Sequence, residues 1–263
     1  MNHLIDLERY PLDRLDSEAG LALVARCQAD LEREGLFNLA GLMRPEVIAE
    51  LLQELKPLFA SSAFTHRRRH NIYFLPEVEG LPTDHPALRE LETVNHTVCA
   101  DLFTGNALMQ LYAWPPFAAF LAAVMDKPRM HPMDDPLACL NAMAYRDGEA
   151  LNWHFDRSEF TTTLLLQAAQ QGGEFEYVTG LRDDQDPNYD GIGEFLAGPQ
   201  SDVNCLELAA GTLNVFRGKN TLHRVSPVHG EHERIIAVLS YYEQPGVRFS
   251  REENIGFYGR AND

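Results

Sequence analysis

Cysteine, positive charge and long apolar runs are all scarce in this chain of 263 residues. The four cysteines, Cys27, Cys99, Cys139 and Cys205, stand far apart with no Cys-x-x-Cys pair. That argues against a disulfide framework or a zinc knuckle and fits buried free thiols in a reducing compartment. Lysine and arginine total 22 against 39 aspartates and glutamates, a formal net charge of −17. A field of that sign repels nucleic acid and anionic membrane, so the basic stretch "THRRRH" around residue 67 reads as a local anion contact. The longest apolar run, Phe117 to Met125, has nine residues, far short of a bilayer span. The N-terminal "MNHLIDLERYPLD" is acidic and lacks a continuous apolar segment, so no signal peptide is expected. No repeat, low-complexity tract or long linker divides the chain. The expectation is a soluble, cytoplasmic protein with a small-molecule partner and neither nucleic-acid nor membrane partners.

Apolar residues, by contrast, make up 45% of the chain, enough to bury one large core. The first half has helical spacing. "SEAGLALVARCQADLEREG" begins after an Asp16/Ser17 cap and stops at Gly35, and "RPEVIAELLQELKPLFA" has Pro45 near its first turn. "LFNLAGL" between them reads as a short extended piece, and "HPALRELETVNHTVCADLF" and "PPFAAFLAAVM" are expected to be further helices. From about Cys139 the pattern changes. "CLNAMAYR", "EFTTTLLLQ", "GEFEYV", "GTLNVFRG", "LHRVSPV" and "RIIAVLSYY" are short, β-branched or aromatic, and separated by Gly, Asp, Asn or Pro, as in an antiparallel sandwich or barrel. The acidic segment from about 180 to 204 reads as a long loop with a helical turn; its aspartates lack calcium-loop spacing, and it is placed to act as a lid. The organisation expected is a single domain. Residues 1–138 are mainly helical support, 139–245 a β core and 246–263 a C-terminal tail.

The stretch "LNWHFDRSEF" puts His154 and Asp156 two residues apart, on one face if the segment is extended. His223 follows in "LHRVSPV", and Arg234 opens a returning strand eleven residues later. Two imidazoles and one carboxylate on one face of an iron leave three positions open. A 2-oxo acid takes two of these and dioxygen the third, while an arginine fork suits the far carboxylate of the acid.

"HFD", "GTLNVFRG", "LHRVSPV" and the following arginine resemble the Fe(II)- and 2-oxoglutarate-dependent oxygenase superfamily over roughly Cys139 to Glu243. The longer "YRDGEALNWHFDRSEFTTTLLLQAAQQGGEFEYV" resembles the BesD-type amino-acid halogenases and their hydroxylase relatives. The resemblance implies a mainly β fold with a helical N-terminal half, its core a double-stranded β-helix (jelly roll) flanked by α-helices. It implies Fe(II), 2-oxoglutarate and dioxygen as cofactor and co-substrates, with His154, Asp156 and His223 as the catalytic metal ligands and Arg234 as the 2-oxoglutarate anchor. Tyr145 stands on a strand that often contributes a co-substrate contact, and a core tyrosine is an equal reading. Halogenases of this kind have a small residue where this chain has Asp156, so the resemblance points to a hydroxylase, acting on a free amino acid or derivative. A halogenase and a non-catalytic binding barrel are the alternatives.

Several other residues carry a functional and a plain reading. Arg157 either meets a substrate carboxylate or makes a surface ion pair. Of the arginines at 67–69, Arg69 lies nearest the apolar, strand-like "NIYF" and is the expected substrate contact, against a solvated patch. His131, Asp134 and Asp135 in "HPMDDP" read as a loop before a second metal site. Asn220 either buttresses His223 or makes a turn.

Overall fold

The structure is a computed structural model that describes residues 1–75, 77–200 and 202–261. Ser201 of the acidic segment and the last two residues of the expected tail lie outside these. Helix α1 (Glu18–Glu34) starts where the Ser17 hydroxyl accepts from the Gly20 N–H, and ends at Gly35, whose φ of 74° makes a left-handed cap. After β1 (Leu36–Leu39), α2 (Pro45–Ser61) has proline in its first turn and buries Val47, Ile48, Leu51, Leu55 and Phe59 along one stripe. Then come β2 (Phe64–His70), β3 (Leu91–Cys99), α3 (Ala107–Tyr112), α4 (Pro115–Val124) and β4 (His131–Pro132).

The remainder is mostly extended. β5 (Leu140–Tyr145), β6 (Leu151–His154), β7 (Thr161–Gln167), β8 (Gln171–Gly172) and β9 (Phe175–Val178) precede α5 (Tyr189–Ala197). β10 (Asn204–Leu206), β11 (Leu213–Phe216), β12 (Leu222–Val225), β13 (Val228–His229), β14 (Arg234–Leu239) and β15 (Tyr241–Tyr242) lead to α6 (Arg251–Tyr258). Seven strands form a major sheet in the order β1-β11-β7-β14-β5-β3-β2, and four a minor sheet, β10-β9-β12-β6. The pairings are antiparallel, and the two sheets make the jelly-roll core.

Strand periodicity divides the major sheet into two functions. Ala142, Ala144, Leu164, Leu166, Val215, Ile235 and Ala237 face outward into one apolar core shared with α1, α2 and α4. The alternate residues, among them Asn141, Tyr145, Thr163, Asn214 and Arg234, face a central cavity of about 360 Å³. Polar residues on that inner face explain one departure from the expected elements. The expected helix over "HPALRELETVNHTVCADLF" is instead β3, flanked by two short 3-10 turns. Its Thr93, Asn95 and Thr97 line the cavity, so buried polar residues imitate the wet face of a helix. β3 is also held on both sides, by β2 and β5, which overrides weak local propensity.

Two further expectations shift. "NIYF" is a turn rather than a strand, and the basic run before it is the strand: β2 turns His66, Arg68 and His70 inward and Thr65, Arg67 and Arg69 outward. The helical half thus supplies β1, β2 and β3 to the major sheet, and the β region does not begin at 139. The acidic segment carries α5, whose Phe195 packs edge-on against Trp153 outside the minor sheet. None of its described residues lines the cavity.

Asp135 joins the C-terminal segment to the barrel. Its buried carboxylate accepts from Leu137 N–H and Ala138 N–H at 2.9 Å, from Phe249 N–H at 3.2 Å and from Asn254 Nδ2 at 3.0 Å. Burial works to raise this carboxyl, but the four hydrogen bonds outweigh it and hold it below the ordinary carboxylate range. Its stabilisation is therefore complete at neutral pH and lost as acid protonates it. Asp135→Ala should lower the unfolding free energy by about 3 kcal/mol in urea titrations at pH 7. The gap between variant and wild type should close as pH falls below about 4.

Candidate metal centre

β6 and β12 are neighbours in the minor sheet, and their register sets His154 opposite His223. The pairing is irregular between His223 and Val225, a bulge of the kind that re-aims side chains. The two rings have centroids 4.1 Å apart. Asp156 lies just past the end of β6, where its N–H donates to the Gly218 carbonyl at 2.9 Å. Its two carboxylate oxygens stand 3.4 Å from His154 Nε2 and 3.5 Å from His223 Nε2, and the three ligand atoms lie within 4.8 Å of one another. Donors about 2.1 Å from a shared ion and at right angles are about 3 Å apart, so this set suits one metal.

Each donor is oriented by a second contact. His154 Nδ1 faces the Asn152 carbonyl at 2.7 Å and His223 Nδ1 the Thr221 carbonyl at 2.9 Å. A protonated Nδ1 donates there and leaves the Nε2 lone pair for a metal. The Thr161 hydroxyl donates to Asp156. Gly218 is needed for room: a Cβ there would stand 2.3 Å from an Asp156 carboxylate oxygen and 2.6 Å from the Thr161 hydroxyl. Burial works to raise the Asp156 carboxyl, but the His223 and His154 rings and the Thr161 hydroxyl hold it well below the usual range. Burial, helped by His154, pushes His223 down to about 4. The site is thus an anionic carboxylate beside a neutral imidazole, the protonation that metal ligation requires.

Arg234 enters the same cavity from β14, paired in register with Tyr145 on β5. Its Nε donates to the Gly173 carbonyl at 2.7 Å, while its Nη1 is buried without a hydrogen-bond partner. A buried guanidinium nitrogen without a hydrogen-bond partner, on a residue that lines the cavity, fits a ligand carboxylate. Burial lowers Arg234 to about 10, which leaves it charged at neutral pH. Burial pushes the Tyr145 phenol up to about 12, so it remains a donor, and its ring centroid is 6.0 Å from the Arg234 guanidinium carbon.

The other expected residues scatter. Arg69 faces solvent against Glu90 at 3.5 Å, because the alternation of β2 turns it away from the cavity, and Arg68 lines the cavity instead. Arg157 reaches the cavity rim but is mostly exposed and ion-paired with Glu253. Asn220 donates to Asp184 at 3.2 Å, and the Thr221 carbonyl takes the place expected for it beside His223. His131 lies in β4, Asp134 pairs with Arg248 at 2.7 Å, and Asp135 is taken up by its four donors. Among the described residues, His154, Asp156 and His223 form the one cluster able to hold a metal. Gly218, Thr161 and Arg68 carried no spacing signal, since each is recognised only by what the fold brings against it.

The model of the Halogenase D family matches residues 20–253. No curated protein matches the chain. Among solved structures it is similar to AviO1 from Streptomyces viridochromogenes Tue57, at 18% identity and a TM-score of 0.56 over 85% of this chain and 96% of that one. HygX from Streptomyces hygroscopicus, solved with nickel and 2-oxoglutarate bound, is 12% identical with a TM-score of 0.56 over 86% and 89%. A 2OG-Fe(II) oxygenase-family oxidoreductase from Burkholderia pseudomallei is 16% identical with a TM-score of 0.52 over 85% and 92%. At these identities the structural likeness is one of fold.

His154→Ala or His223→Ala should abolish stoichiometric Fe(II) binding, measured by anaerobic titration, while leaving the circular dichroism spectrum unchanged. Gly218→Ala should weaken metal binding about 10- to 100-fold by displacing Asp156. Retention of full metal affinity in Gly218→Ala would show that the close approach does not position the ligand.

Proposed function

Because the chain belongs to the Halogenase D family and keeps a carboxylate between two histidine ligands, we propose that it is an Fe(II)- and 2-oxoglutarate-dependent hydroxylase of a small polar metabolite, an amino acid or a derivative of one. Asp156 carries this reading. In the halogenases that the sequence resembles, a small residue at this position leaves room for chloride on the metal. Here the Asp156 carboxylate would take that place, its backbone N–H held by the Gly218 carbonyl and its oxygen by the Thr161 hydroxyl.

Iron(II) with 2-oxoglutarate and dioxygen supplies the oxidising power to replace a substrate hydrogen by hydroxyl, with succinate and carbon dioxide as the other products. The protein's part is placement. His154, Asp156 and His223 would hold the metal. Arg234 offers its unpartnered nitrogen to the distal carboxylate of 2-oxoglutarate, and Tyr145 lies beside it as a phenol donor. The apolar walls of the cavity, Phe175, Phe216 and Val225 among them, limit water around the reacting atoms. The family's name favours halogenation as the second reading.

Arg234→Lys keeps the charge but loses the fork, so it should raise the 2-oxoglutarate requirement by about ten-fold or more with little change in substrate KM. An unchanged 2-oxoglutarate requirement would remove Arg234 from the co-substrate site. With iron, 2-oxoglutarate, oxygen and excess chloride, mass spectrometry should show substrate gaining one oxygen and no chlorine. Asp156→Gly should lose most hydroxylation and chlorinate weakly at best. Chlorinated product from the wild type would establish the halogenase reading instead.

A further inference from the structure

Charge inside the cavity has the opposite sign to the chain. Among its lining residues the one carboxylate is Asp156, which is committed to the metal, whereas Arg68, Arg157 and Arg234 are all cationic. Arg234 is taken up by the proposed co-substrate contact, and Arg157 is neutralised by Glu253. Arg68 is different from its neighbours. Arg67 pairs with Glu92 at 2.9 Å and Arg69 with Glu90 at 3.5 Å, both outside the barrel. Arg68, half-buried on the inward face of β2, has no side-chain hydrogen bond or ion pair among the described residues; its guanidinium carbon lies 5.2 Å from the centre of the Phe74 ring. In a chain with 17 surplus negative charges, no carboxylate among the described residues pairs with this cation.

Phe74 gives the position meaning. It has a φ of 55°, a left-handed conformation that bulky residues rarely adopt. The turn is held by Asn71, whose carbonyl accepts from Phe74 N–H at 3.1 Å and whose side-chain oxygen accepts from Tyr73 and Leu75 N–H at 3.1 and 3.2 Å. So placed, Phe74 stacks on His70 at 4.3 Å and meets His154 edge-on at 5.8 Å. One aromatic ring therefore separates Arg68 from a metal ligand. The cavity also has an aromatic region, with Tyr242, Phe249, Phe257 and Tyr258 in its wall.

We propose that the substrate is a carboxylic acid with an apolar body, its carboxylate bound by Arg68 and its body lying against the aromatic wall. This deepens the oxygenase reading and rests on it for the word substrate. A substrate anchored by a basic group fits poorly, since a desolvated ammonium here would meet no carboxylate other than Asp156. The amino-acid derivatives that fit best are those with an acylated or absent amino group. An α-carboxylate on Arg68 supplies the missing counter-charge in a two-pronged contact.

The test uses the full chain loaded anaerobically with Fe(II) and saturating 2-oxoglutarate, so that the co-substrate site is filled. Calorimetry compares phenylacetate, 3-phenylpropionate, N-acetyl-leucine and N-acetyl-phenylalanine with their respective carboxamides, and with lysine. Acids should bind about 10- to 100-fold more tightly than their amides in the wild type. Arg68→Gln should reduce that ratio to about two-fold or less without weakening the amides, and Arg68→Lys should keep part of it. Arg67→Gln should keep all of it. Acids and amides binding alike, lysine binding best, no acid binding at all, or an acid preference that survives Arg68→Gln would each overturn the proposal. Should Arg68→Gln fail to fold, Arg68→Lys and the wild-type ratios decide. None of these readouts needs turnover, so chlorinated product or absent succinate would sink the hydroxylase reading and leave the acid-to-amide ratio standing.

Discussion

Setting His154 opposite His223 across two strands brings a pair of imidazoles within ring contact, and an ionised carboxylate follows two residues on. Three such groups held close together in a low-dielectric space favour a shared cation. The surrounding chain holds them there by tying the far side of each: the Asn152 and Thr221 carbonyls to the two Nδ1 atoms, Thr161 to the carboxylate. These contacts orient the three donors toward one point. Gly218 belongs to the same constraint, because the carboxylate occupies the space where any other residue would put its Cβ.

A barrel whose interior holds a cavity and only small apolar clusters has less to hold it together from inside. This one draws its stability from outside the barrel. The outward alternate residues of the major sheet meet α1, α2 and α4 in a continuous apolar layer, and α6 is tied back through Asp135 and Asn254. The inner face then carries only the smaller part of the apolar packing. It can carry Asn141, Thr163, Asn214, Tyr145 and Arg234 without removing much from the core. Period-2 alternation makes the separation possible, since adjacent residues of one strand serve different ends.

The same alternation decides what was legible in the sequence. His154, Asp156, His223 and Arg234 could be picked out because spacing along the chain already implies a shared face and a neighbouring strand. The strands after Cys139 were legible because β-branched runs end at Gly, Asp or Pro. β3 was not: its inward polar residues and its burial on both faces erase the alternation and leave a helix-like pattern. Arg68 and Arg69 could not be told apart, because a run of five basic residues carries no apolar mark of which face is inside. Nearness to "NIYF" chose the wrong phase. Gly218 was invisible for a different reason, since its requirement comes from a segment distant in sequence.

Surplus negative charge on the chain should slow the approach of an anionic co-substrate, and a local cation at the end of a low-dielectric cleft offsets that by focusing the field inside it. Such a cation must survive its own burial. Burial draws Arg234 down to about 10, which still leaves it protonated at neutral pH. A lysine starts from about 10.4, so the same burial would leave it a smaller margin above neutral pH. Arginine's high starting value is therefore as much a reason for its use at this position as its planar fork. The buried Nη1 shows the consequence: one nitrogen of a charged group left without a hydrogen-bond partner on a residue that lines the cavity.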